Sequence, residues 1–128
     1  MNEPIIFISH FTVKEGRLDE LKALFGEVLR MLEGEKPRTT AQLAYVNDTG
    51  TRLTVVHVFS GPDAMDLHFQ GADERSQAAY QFMDPAGWEI YGTPSDTALQ
   101  MMQQAATSAA VALEVEPDYL GGFLRSPE

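Results

Sequence analysis

The chain contains no cysteine. That excludes a disulfide framework, a thiolate nucleophile and a cysteine-based zinc site, and it makes a cytoplasmic setting the expectation. Basic residues are also scarce: nine Lys and Arg stand against nineteen Asp and Glu, for a net charge of −10. Those nine are scattered, with Lys14, Arg17, Lys22 and Arg30 followed by Lys36 and Arg38, and with Arg52, Arg75 and Arg125 alone. Polyanions are held by clustered cations, so neither nucleic acid nor an anionic membrane is an expected partner. No apolar run approaches the ~18 residues of a membrane span, and Met1-Asn2-Glu3-Pro4 lacks the basic start of a signal peptide. Gly-x-Ser-x-Gly, His-Glu-x-x-His and the phosphate-binding P-loop are all missing. So are repeats, low-complexity tracts and any linker long enough to divide the chain.

What is present is ordinary for a globular protein. The 128 residues are 44% hydrophobic and 22% charged, which suits one domain over residues 1–128 with its core over about 4–125. Ile5 to Val13 is β-branched and aromatic and reads as a strand, ended by Lys14-Glu15-Gly16. A helix follows from about Glu15 to Glu33. Its Leu18, Leu21, Phe25, Val28, Leu29 and Leu32 form one stripe at helical spacing, and Gly34 and Pro37 are the expected stop. Two strands, Ala41–Val46 and Leu53–Phe59, flank the turn Asn47-Asp48-Thr49-Gly50 as a hairpin. Ser60 is a candidate N-cap for the next helix, which Gly71 divides into about Pro62–Gln70 and Asp73–Met83. Asp84-Pro85-Ala86-Gly87 reads as a turn, then Trp88, Ile90 and Tyr91 as a short strand. Ser95 and Asp96 start a helix to about Ala109. Val111, Leu113 and Val115 alternate with Ala112, Glu114 and Glu116 as a half-exposed strand, and Ser126-Pro127-Glu128 is a tail.

This order predicts an α+β fold: a ferredoxin-like βαββαβ unit with an added C-terminal helix and strand. In such a unit the first and third strands lie side by side in the middle, with the helices on one face. Both strands are apolar on both sides here, so the face away from the helices needs a cover. A second copy of the sheet is the simplest one, giving a homodimer closed as a dimeric α/β barrel. The alternative is that the last helix and strand cover that face within one chain or cross to a neighbour.

Phe11-Thr12-Val13-Lys14-Glu15-Gly16, leading straight into a helix, resembles the first motif of the antibiotic-biosynthesis-monooxygenase-like domains of the dimeric α/β barrel superfamily. The stretch from Val56 to Phe69, with Ala64 and His68 in the family's alanine-then-histidine spacing, is similar to the second motif. Glu89–Ser95 and Asp118–Arg125 look like the tail of an uncharacterised branch. The sequence departs from the family at Glu35-Lys36-Pro37-Arg38, which lacks the usual turn glycine. Haem-degrading members carry an asparagine on the first strand, where Ser9 or His10 stands here. They also carry a tryptophan and a histidine on the second helix, where this chain has no tryptophan and places Tyr80 near the histidine position. The resemblance therefore implies a cofactor-independent oxygenase, or a related isomerase or cyclase, acting on a phenolic or quinol-like molecule, rather than haem degradation.

His68 is the candidate catalytic base for a phenolic proton. Near the end of a short helix, its imidazolium is favoured by the helix dipole. The alternative is a residue that caps or packs the helix end. His10 and His57 lie on the two strands placed as neighbours; on the helix side they would converge with His68, whereas as core or interface residues they would not. His10, His57, Phe69, Tyr80, Trp88 and Tyr91 are the candidate substrate-binding residues, with Phe82 a further aromatic beside them. Met101 and Met102 read as gap-filling core. No cofactor or metal is expected, and the partners are a second copy of the chain and a small apolar or aromatic molecule. The competing expectation is a non-catalytic dimeric module that binds a small ligand or serves a stress response.

Overall fold

The computed structural model describes residues 3–125; the expected tail 126–128 lies outside the described residues. The order is β1 (Ile5–Val13), α1 (Leu18–Glu35), β2 (Thr39–Val46), β3 (Arg52–Phe59), α2 (Pro62–Phe69), α3 (Ala72–Ala79), β4 (Met83–Tyr91), α4 (Asp96–Ala109) and β5 (Leu113–Glu116). The strands form one sheet in the order β2-β3-β1-β4-β5, antiparallel except for the parallel β4–β5 pair. The α+β expectation holds, with β1 and β3 side by side in the interior.

Alternation along the strands puts one set of residues under the helices. Ile5, Phe7, Ser9, Phe11 and Val13 of β1, and Leu53, Val55, His57 and Phe59 of β3, are all buried. They belong to two hydrophobic clusters. One joins Ile5, Phe7, Phe59, Trp88 and Ile90 to Ala64 and Met65 of α2 and to Met102 and Ala106 of α4. The other joins Phe11, Val13, Leu53, Val55 and Met83 to Leu21 of α1 and Ala79 of α3. Thus α4 packs on the same face as the other helices and β5 extends the sheet edge. Neither covers the far face, where Ile6, Ile8, Val56 and Val58 are half-buried while Leu43 and Tyr45 are 48% and 60% exposed. In the single chain the sheet is open.

Several local expectations need correction. The helix after β1 runs on through Gly34 and stops at Lys36, whose N–H donates to the Leu32 carbonyl at 2.8 Å. Pro37 enforces that stop, because the residue before a proline is pushed out of helical geometry. Ser60 does not cap α2; the N-cap is Gly61, without a side-chain cap. Ser95 does cap α4, accepting from the Ala98 N–H at 3.1 Å. The helix α3 ends at Ala79, not Met83, and Asp84-Pro85-Ala86-Gly87 is no turn but the first half of β4. Its register against β1 shifts between His10 and Phe11, which pair with Gly87 and Pro85 and leave Ala86 extra. Proline and glycine signal a turn locally, but pairing with β1 outweighs them by admitting a bulge. Because β5 pairs only with Trp88–Tyr91, this half of β4 is itself an edge, where proline is tolerated.

Candidate functional site

Between the two clusters lies a cavity of about 640 Å³, within the range that suits a drug-sized ligand. Its floor is the helix-side face of the sheet: Phe7, Ser9 and Phe11 of β1, Val55 and His57 of β3, Gln42 of β2 and Trp88 of β4. Ser9 is the reason for the space. It is buried between Phe7 and Phe11 on one face of β1 and pairs with Val55 on one side and Trp88 on the other. A small side chain there leaves a gap where its neighbours put rings. Leu24, Phe25, Val28 and Leu32 of α1 form one wall and Met101, Met102 and Ala105 of α4 another. His68, Phe69, Arg75 and Tyr80, from α2, α3 and the turn after it, complete the lining, with Phe69 against Phe7 and Tyr80 against Phe11.

Two imidazoles meet in this cavity. The His57 and His68 rings are 5.3 Å apart, edge to face, with Phe59 5.2 Å from His68 and Phe7 5.0 Å from His57. His57 Nδ1 bonds the Phe7 carbonyl at 2.9 Å. A carbonyl can only accept, so Nδ1 carries the proton and the Nε2 lone pair is free. Burial, the largest cause, pushes the His57 pKa down to about 4, aided by the Arg75 charge against the opposing effect of the Phe7 bond. His68 Nδ1 bonds the Thr39 hydroxyl at 2.7 Å. Its pKa is pushed down to about 3, first by burial and then by His57, Arg75 and Lys36. Both rings are therefore neutral near pH 7.

The expectation that the helix dipole favours a charged His68 is thereby overturned. The carbonyls at the end of α2 are already met by other cations. Lys36 Nζ donates to Leu67 O at 2.8 Å, and Arg75 donates through Nη2 to His68 O at 2.8 Å and through Nη1 to Gln70 O at 3.1 Å. These two charges take the favourable dipole position and add their repulsion to the cost of desolvation that the buried imidazole already bears.

Of the candidate residues, His57, His68, Phe69, Tyr80 and Trp88 line one cavity, and His10 and Tyr91 do not. The latter two share the open face of the sheet. His10 Nε2 bonds one oxygen of Glu89, and the Tyr91 hydroxyl donates to the other at 2.5 Å. These bonds, that from Tyr91 first, lower the Glu89 pKa, while the carboxylate raises that of Tyr91 to about 12. The three histidines therefore do not converge, since consecutive strand residues point to opposite faces and His10 has the other parity. No group of three metal-ligand side chains forms among the described residues. Phe82 lies apart, beneath the Arg17 guanidinium at 4.7 Å. Met102 is core, whereas Met101 is partly exposed on the cavity wall.

Arg75 and Gln42 are residues that sequence reasoning missed. Arg75 reads as one isolated charge on a polar helix, and Gln42 as the polar face of an edge strand. Only strand pairing sets Gln42 opposite His57, and only the bend at Gly71, whose φ is +81°, brings Arg75 back over the end of α2.

No helix is long and apolar enough to cross a membrane among the described residues. No protein-family model and no curated protein matches the chain. Solved structures do. MupZ from Pseudomonas fluorescens superposes with a TM-score of 0.70 at 16% identity, over 94% of this chain and 96% of that one. SnoaB, a cofactor-independent oxygenase from Streptomyces nogalater, gives 0.60 at 14% identity over 73% and 95%. A candidate antibiotic biosynthesis monooxygenase from Caulobacter crescentus CB15 gives 0.62 at 15% identity over 70% and 88%.

Proposed function

Because this chain has the fold of the antibiotic biosynthesis monooxygenase-like proteins, we propose that it is a cofactor-independent monooxygenase, or a related small-molecule enzyme, acting on a phenolic or quinol-like aromatic substrate. The observation that carries this reading is the pair of neutral imidazoles in an aromatic-lined cavity. The substrate ring packs among Phe69, Tyr80 and Trp88. His68 accepts the phenolic proton, and the resulting electron-rich anion reacts with oxygen. Charging so depressed an imidazole costs on the order of 5 kcal/mol relative to water, and the phenolate formed beside it offsets that cost as an ion pair. The enzyme works as a cytoplasmic homodimer, with the open sheet faces of two copies covering one another's Ile6, Ile8, Val56 and Val58.

The low basicity of both rings also supports a second reading, a binding module in which they only hydrogen-bond a ligand. Oxygen uptake with a panel of quinols and anthrones separates the two. Enzyme activity requires turnover by the wild type that falls at least about a hundredfold in His68→Ala, the scale of general base catalysis. Melting shifts with the same compounds but no oxygen uptake would establish the binding module instead.

A further inference from the structure

Burial at the cavity disfavours the Arg75 charge, and Glu35 offsets this through space without forming an ion pair with it among the described residues. The guanidinium is partly buried at the cavity, and its two hydrogen bonds go to neutral carbonyls, those of His68 and Gln70. It makes no salt bridge among the described residues. Asp73 also borders the cavity but is exposed and forms no ion pair with it. In a chain with nineteen carboxylates, an unpaired cation at the edge of an apolar cavity is costly unless something else neutralises it. The backbone makes room for this cation. Gly71 sits beneath the guanidinium, and a Cβ there would approach Nη1 to 3.3 Å.

A second group lacks its partner. Gln42 Oε1 is buried without a hydrogen bond among the described residues. It lines the same cavity, on the strand residue that pairs with His57. His57 Nε2, whose lone pair follows from the Nδ1–H bond to Phe7, is a further acceptor at the cavity, with no donor among the described residues. The cavity thus presents, among the described residues, one cation without an ion-pair partner and two acceptors without a hydrogen-bond donor.

We propose that the ligand of this cavity is an aromatic acid that also bears a hydroxyl group, with its carboxylate or comparably acidic group on Arg75 and its hydroxyl donating toward Gln42 and the adjoining His57–His68 pair. This rests on reading the cavity as an aromatic-ligand site and narrows the substrate class to hydroxyaryl anions. Arg75 becomes the residue that selects for charge, and Gln42 the one that selects for the hydroxyl.

Calorimetric titration of the full chain with 6-hydroxy-2-naphthoate, 6-hydroxy-2-naphthamide and 2-naphthoate tests it. The hydroxy acid is expected to bind at least roughly tenfold more tightly than the amide, the worth of one charge-assisted contact, and several-fold more tightly than the acid without the hydroxyl. In Arg75→Gln the ratio of acid to amide affinity falls toward one; in Arg75→Lys most of the preference survives. Equal binding of acid and amide by the wild type overturns the charge assignment and leaves the aromatic site standing. Equal binding of the two acids overturns the hydroxyl assignment. Failure of all three to bind overturns this inference, while oxygen uptake with the quinols and anthrones decides the proposed function separately. Should Arg75→Gln not fold, the wild-type and Arg75→Lys affinities still decide.

Discussion

Two histidines buried in the neutral form make stability depend on pH in a direction that can be worked out in advance. In the unfolded chain both titrate near 6.5, whereas folding lowers His57 to about 4 and His68 to about 3. Below pH 6.5 the unfolded chain binds protons that the folded one refuses. The stability held above that pH is therefore lost as pH falls toward the folded values. Between pH 7 and 5, a shift of this size amounts to about 2 kcal/mol for one histidine. His68 lines the cavity, and discounting its penalty for solvent screening there leaves the pair together losing about 3 kcal/mol. That is a large share of the 5–15 kcal/mol typical of a domain. In urea it moves the unfolding midpoint down by roughly 1–2 M. Carboxylates titrate lower. Discharging an acidic chain on approach to its isoelectric point of about 4.6 also relieves repulsion, so the general charge effect has the opposite sign. The assay is urea unfolding at pH 7, 6 and 5 and fixed protein concentration, for the wild type and for His57→Gln/His68→Gln. A midpoint that falls with pH in the wild type and is nearly flat in the double variant is the expected result. An equal fall in both would refute the assignment of neutral imidazoles.

Val56→Glu places a charge at the centre of the open sheet face, and sedimentation velocity at micromolar concentration should show a dimeric wild type and a monomeric variant whose circular dichroism is unchanged; a monomeric wild type would remove the proposed partner. Gly92→Ala forces a side chain onto a backbone with φ +109°, its Cβ 3.0 Å from Pro4 O, so chemical denaturation should register a loss of about 1–3 kcal/mol.

The element order was legible because each segment is written in its own period. The β-branched and aromatic runs Ile5–Val13 and Leu53–Phe59 and the stripe from Leu18 to Leu32 need only local sterics and burial to be read. Errors fell where a long-range contact outweighed a local signal. Asp84-Pro85-Ala86-Gly87 has turn composition, yet pairing with β1 makes it strand. Gly34 looks like a stop, yet the helix lasts until Pro37 forbids it. Of the site, His57, His68, Phe69, Tyr80 and Trp88 came from residue type and resemblance and do share a cavity, while His10 and Tyr91 have the parity of the opposite face.

By itself the sequence determined the strands, the helices, their order and the need of two central strands for cover on both sides, since these follow from periodicity and hydrophobicity along the chain. Tertiary structure alone decided which face each histidine occupies, that α4 joins the helix side, and that Lys36 and Arg75 take the end of α2 and hold His68 neutral. Such facts depend on strand register and on residues far apart in sequence meeting in space, and no local pattern encodes them.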